Sequence, residues 1–264
     1  MNLRFFVSSM TVTCFAFVGM ANIASAQHSD IEFGYDNIGN PGGFIIENDE
    51  VTSDGIQFFE SGFEIFDPIG SPGNYASDEP GYENSIDEGL LVGSGHQIWI
   101  NVLDASQHSQ FGQGYINFYN PLTDSLEANG RLGISDNSAG TEDLILFGTG
   151  IESGIESGPN PQFLALGGDD QTIGDQHLDF DLLDDGTAPL GAYGVLLQLQ
   201  SDFNGDGVFE LSSDPYWVIF NRGLDERVFD ENALAAFGAQ EGVPEPSSAV
   251  LLATASLLLV RRRR

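Results

Sequence analysis

Gln97-Ile98-Trp99-Ile100-Asn101-Val102 and Gly194-Val195-Leu196-Leu197-Gln198-Leu199-Gln200 decide the fold class. In the first, Ile98, Ile100 and Val102 share one face and Trp99 takes the other. In the second, Val195, Leu197 and Leu199 point one way. A period of two is the signature of a pleated strand, because successive side chains leave opposite faces. Leu178-Asp179-Phe180-Asp181-Leu182 repeats the period strictly. Working outward, strands are expected at Ile31–Tyr35, Gly43–Glu47, Gly55–Phe59 with Phe63–Phe66, His96–Leu103 and Gly114–Tyr119. Further ones are expected at Leu144–Phe147, Phe163–Leu166, Leu178–Leu182, Val195–Gln200 and Tyr216–Asn221. Clusters of Gly, Pro, Asn and Asp separate them. About ten short strands at this spacing describe an all-β chain, a β-sandwich or jelly roll. One short late helix is expected from Asp225 to Phe237, with Val228, Phe229, Leu234 and Phe237 as its apolar face. Ser71–Gly81 and Gly148–Pro161 read as long surface loops.

The chain has 264 residues, 40 acids and 8 basic residues, all of them arginine. Between Gln27 and Val243 three arginines (Arg131, Arg222, Arg227) face 39 acids, a net charge of −36. Such a surface repels phosphate backbones and excludes nucleic-acid binding. It favours divalent cations, basic surfaces or neutral glycans as partners. High charge alone could mean disorder, but 41% hydrophobic residues and 20 Phe supply a core. The single cysteine, Cys14, lies in an N-terminal apolar segment, so the body has no disulfide, thiol nucleophile or thiolate metal site.

Both ends read as addresses. Arg4, the apolar run Phe5 to Met20 and the A-x-A site Ala24-Ser25-Ala26 form a secretory signal peptide over residues 1–26. Residues 27–242 then form a single all-β extracellular domain. Residues 243–264 carry Pro244-Glu245-Pro246, an apolar run from Ala249 to Val260, and Arg261, Arg262, Arg263 and Arg264. The apolar run is short for a bilayer span, which takes about 20 residues, though terminal arginines can hold it at the cytoplasmic face. This tail resembles the PEP-CTERM sorting signal of exported bacterial proteins. The resemblance implies recognition by exosortase, transient membrane anchoring, cleavage near Pro-Glu-Pro, and delivery to a cell surface or exopolysaccharide matrix. It covers the last 22 residues and leaves the body open.

Within the body, Asp202-Phe-Asn204-Gly-Asp206-Gly207-Val208-Phe-Glu210 fits the first half of an EF-hand type calcium loop. Asp202, Asn204 and Asp206 would give side-chain oxygens, Val208 its carbonyl, and Glu210 the ninth position. Position 12 is Ser213 where a bidentate Glu is wanted, and Asp214 follows. The loop resembles a dockerin or EF-hand-like loop in a single copy, which implies a weak calcium site; an acidic hairpin turn is the competing reading. His28, His96, His108 and His177 are the body's histidines; no spacing among them demands a metal. No G-x-S-x-G elbow, P-loop or dinucleotide turn is present, and 39 acids single out no catalytic pair. Trp99, Trp217, Tyr115, Tyr119 and Tyr216 could stack sugars, although core and cross-strand pairing is the commoner use. The expectation is a non-enzymatic, calcium-stabilised surface or matrix protein. The alternatives are an extracellular glycan-active enzyme, favoured by a deep cleft with two close carboxylates, or a carbohydrate- or metal-binding module, favoured by convergence of His96, His108 or His177 on one point.

Overall fold

The computed structural model describes residues 30–35, 44–47, 50–66, 74–84, 97–135, 144–153, 163–166, 177–183, 187–202 and 208–239. Ala24 and Ala26, where signal cleavage is expected, lie outside them, as do His28, His96, Asn204 and Asp206. So does the whole tail, with Pro244, Glu245, Pro246 and Arg261–Arg264. Among the described residues no helix is long and apolar enough to cross a membrane.

The fold is all-β. In chain order its first strands are β1 (Ile31–Tyr35), β2 (Phe44–Glu47), β3 (Gln57–Gly62), β4 (Glu64–Phe66), β5 (Asn74–Ser77) and β6 (Tyr82–Asn84). Next come β7 (Gln97–Leu103), β8 (Asn117–Asn120), β9 (Ser125–Glu127), β10 (Arg131–Ser135), β11 (Leu144–Phe147) and β12 (Gly150–Ser153). The last are β13 (Phe163–Leu166), β14 (Asp179–Leu182), β15 (Gly191–Asp202), β16 (Leu211–Ser212) and β17 (Tyr216–Arg222). They form three sheets: β2-β1-β6; β12-β11-β10-β14-β5-β4; and an eight-stranded sheet ordered β13-β7-β15-β17-β3, with β8, β9 and β16 attached through β15.

The twelve-residue β15 is the spine. It pairs with β7 and β8 on one edge and with β17 and β16 on the other. From Gly191 to Leu197 every residue is buried, and alternation begins only at Gln198. The reason is two-sided covering. Val195, Leu197 and Leu199 enter one core with Ile98, Ile100 and Val102 from β7, Ile31 and Phe33 from β1, and Leu132, Ile134 and Phe180 from the six-stranded sheet. Leu196 enters a second core on the opposite face, with Trp217, Ile219, Phe229, Leu234 and Phe237. A strand buried on both faces must be apolar throughout, which Val195-Leu196-Leu197 and Trp217-Val218-Ile219-Phe220 supply.

The late helix covers this second face. It runs over 226–236 as an α-turn (Glu226–Val228), a π-turn (Phe229–Ala233) and a second α-turn (Leu234–Ala236). Asp225 caps it, accepting from the Arg227 N–H. Phe229, Leu234 and Phe237 are buried as expected; Ala233 joins them and Val228 is only half-buried. Gly194 makes the docking possible, because a Cβ there would strike the Phe237 ring. The two stretches expected as surface loops contain structure. The first holds β5, which pairs with β14 and β4, and the second holds β12, which pairs with β11. Cross-strand pairing outweighs the weak strand propensity of Asn74-Tyr-Ala-Ser and Gly150-Ile-Glu-Ser.

Candidate metal centres

Asp202 is the last residue of β15 and is only 1% exposed. Gln200 pairs with Ser212 and Ser201 with Leu211; the Glu210 N–H donates to the Ser201 carbonyl at 3.1 Å. This register sets Asp202 across from Glu210 at the mouth of the β15–β16 hairpin. Their charges act together on Tyr35. Burial is the main cause that raises its phenol above the ordinary value; the Glu210 and Asp202 charges add to it, against the hydrogen bond with Ser201. Val208 is exposed at the same hairpin.

The far side of the loop sequence is directed elsewhere. Ser213 is buried and its hydroxyl is used inside the sheet, accepting from the Leu199 N–H at 3.0 Å and donating to the Asp214 carbonyl at 2.8 Å. The Ser213 N–H also donates to the Leu199 carbonyl, which extends the register and sets exposed Asp214 beside Gln198. That is four strand positions back from Asp202, about 13 Å at a rise of about 3.3 Å each. The hairpin thus brings Asp202 and Glu210 to one end and carries Asp214 away from it.

A second group has no counterpart in any sequence spacing. Asp30, Glu79 and His177 each offer a ligand atom, and these atoms lie within 4.8 Å of one another. All three side chains are half-buried. Asp30 immediately precedes β1, Glu79 lies in the turn from β5 to β6, and His177 stands two residues before β14. Parallel pairing of β1 with β6, and antiparallel pairing of β14 with β5, bring the three segments to one place.

Hydrogen bonds fix each of them. The Gly81 N–H lies 3.1 Å from Asp30 Oδ1 and 3.2 Å from Glu79 Oε2, so one donor orients both carboxylates. The Ile31 N–H donates to the Gly81 carbonyl at 2.8 Å, pinning the start of β1 to the same turn. His177 Nδ1 lies 2.8 Å from the Asp78 carbonyl, which can only accept, so Nδ1 carries a proton. Nδ1 is also 4.0 Å from Glu79 Oε1. Below the turn, the buried Ser61 and Ser77 hydroxyls lie 2.7 and 3.0 Å from the Glu79 carbonyl, and the Glu79 N–H donates to Ser77 Oγ at 3.2 Å. Glycine at 81 leaves room for the cluster: a Cβ would come within 2.6 Å of Asp30 Oδ1 and 3.0 Å of His177 Nε2, so either side chain would have to move. The sequence offers two cues: His177 stands between Asp175 and Asp179, and Asp30 follows His28 by two.

His108 caps the 3-10 turn Ala105–Gln107 and is exposed, apart from the other ligands. Of the aromatic residues considered for sugar stacking, Trp217, Tyr119 and Tyr216 are buried in the two cores and Tyr115 packs against the first. Trp99 is half-buried and makes an edge contact with Phe209 at 5.9 Å. No family model matches this chain, and no curated protein or solved structure matches it either.

Proposed function

We propose that this is an exported, non-enzymatic protein of the cell surface or exopolysaccharide matrix, sorted by exosortase and stabilised by calcium. The observation that carries the reading is the coincidence, at the end of the chain, of Pro244-Glu245-Pro246, an apolar run and Arg261–Arg264. The body fits that destination: a β-domain without thiols, carrying −36 from Gln27 to Val243, suited to a setting rich in divalent cations. Asp202, Asn204, Asp206, the Val208 carbonyl and Glu210 are the calcium donors in this reading. A metal-binding module is the second reading, favoured by the meeting of His177 with Asp30 and Glu79.

Intact-mass measurement of the protein from its native host tests the sorting. The expected species begins at Gln27 and lacks Arg261–Arg264. A mature form that still carries the four arginines would rule out cleavage by exosortase.

A further inference from the structure

We propose that Asp30, Glu79 and His177 hold one divalent transition-type cation, zinc in the first instance, at the seam between the three-stranded and six-stranded sheets. The donor set is one imidazole and two carboxylates, their ligand atoms within 4.8 Å of one another. An imidazole nitrogen suits zinc and its neighbours, whereas calcium is held by six to eight oxygens. The second layer resembles that of established metal centres, where a ligating histidine donates its other N–H to a carbonyl or carboxylate. Here Nδ1 meets the Asp78 carbonyl at 2.8 Å, and the Gly81 N–H orients both carboxylates.

The location gives the ion its role. Asp30 belongs to the approach to β1 in the three-stranded sheet, and His177 to the approach to β14 in the six-stranded one. Glu79 sits on the turn that joins the two sheets through β5 and β6. One cation would fasten all three segments. Three protein donors also leave a coordination position for water or an external oxygen ligand, and the half-exposed side chains keep it accessible (His177 is 32% and Glu79 34% exposed).

The test is calorimetric titration of the chelator-stripped full chain with zinc, then with calcium. The parent should bind one zinc ion at this site. His177→Ala, Asp30→Asn and Gly81→Ala should each weaken zinc binding at least tenfold, while Asp202→Ala leaves it unchanged. Gly81→Ala alters no ligand and acts by pushing Asp30 and His177 aside. His177→Gln replaces the alanine variant if near-ultraviolet circular dichroism shows that the latter has unfolded. Cobalt added to the parent should give a visible absorption band that zinc abolishes. Zinc affinity equal to the parent's in folded His177 and Asp30 variants would overturn the proposal. So would the absence of both zinc binding and the cobalt band, which would leave the cluster a set of hydrogen bonds and an ion pair only.

Discussion

Tyr82 and Tyr216 show how polar atoms are handled in this core. Both are fully buried, and their hydroxyls lie 3.2 Å apart. Burial pushes both phenols well above the ordinary value, so both stay neutral and one donates to the other. Removing one partner strands the other without water. Tyr82→Phe or Tyr216→Phe should therefore lower unfolding free energy by about 1–3 kcal/mol. The double variant should lose less than the sum, because no orphan hydroxyl remains. Urea denaturation of the four proteins measures this, and additive losses would mean the hydroxyls act independently. Neither tyrosine's role was readable beforehand: Tyr216 was expected in a strand, but its partner lies 134 residues away.

The late helix and β3 bring several acids together. Glu60 follows Phe58 by two on β3, which puts it on the helix-covered face. Burial, with the charges of Glu50 and then Asp230 on the helix, raises its carboxyl from 4.5 to about 7. Burial also raises Glu50. In Asp230 burial again leads, followed by the charges of Glu226, Glu231 and Asp225. Since the folded state holds the Glu60 proton more tightly than the unfolded chain, stability falls as pH rises from about 4.5 to about 7. Glu60→Gln should raise the melting temperature at pH 8, and the gain should fade as the pH is lowered to 5. Thermal scans at the two pH values decide it; a gain that does not change with pH would point to a cause other than charge. Strands were legible wherever both faces or one whole face demanded apolar residues, as in β7, β14 and β15. Those that escaped are of another kind: Ser125-Leu-Glu has one apolar residue, and Arg131-Leu-Gly-Ile-Ser is diluted by arginine and glycine although Leu132 and Ile134 are fully buried. The histidine site was illegible for a different reason. Asp30, Glu79 and His177 are gathered by sheet pairing alone, and pairing over such separations leaves no spacing to read.

Over the whole molecule the acid surface sets the response to ions. With −36 on the body, self-repulsion weakens the compact state at low ionic strength. Sodium chloride should raise the melting temperature by screening, and millimolar calcium should raise it further by binding the folded state. Asp202→Ala should erase the calcium increment and keep the sodium one, with Asp169→Ala as a charge-matched control. Equal effects of magnesium and calcium would speak against a specific calcium site. The pairing of β3 with β17 is parallel and sets Gln57 beside Tyr216, with Thr52 bridged to Ala239 close by. Closing so long an intervening stretch is entropically costly and slow. A chain emerging from the ribosome N-terminus first therefore presents β3 long before its neighbour exists. The central sheet cannot be completed until almost the entire body has been synthesised, so the apolar face of β3 waits through most of translation for the strand that will lie beside it.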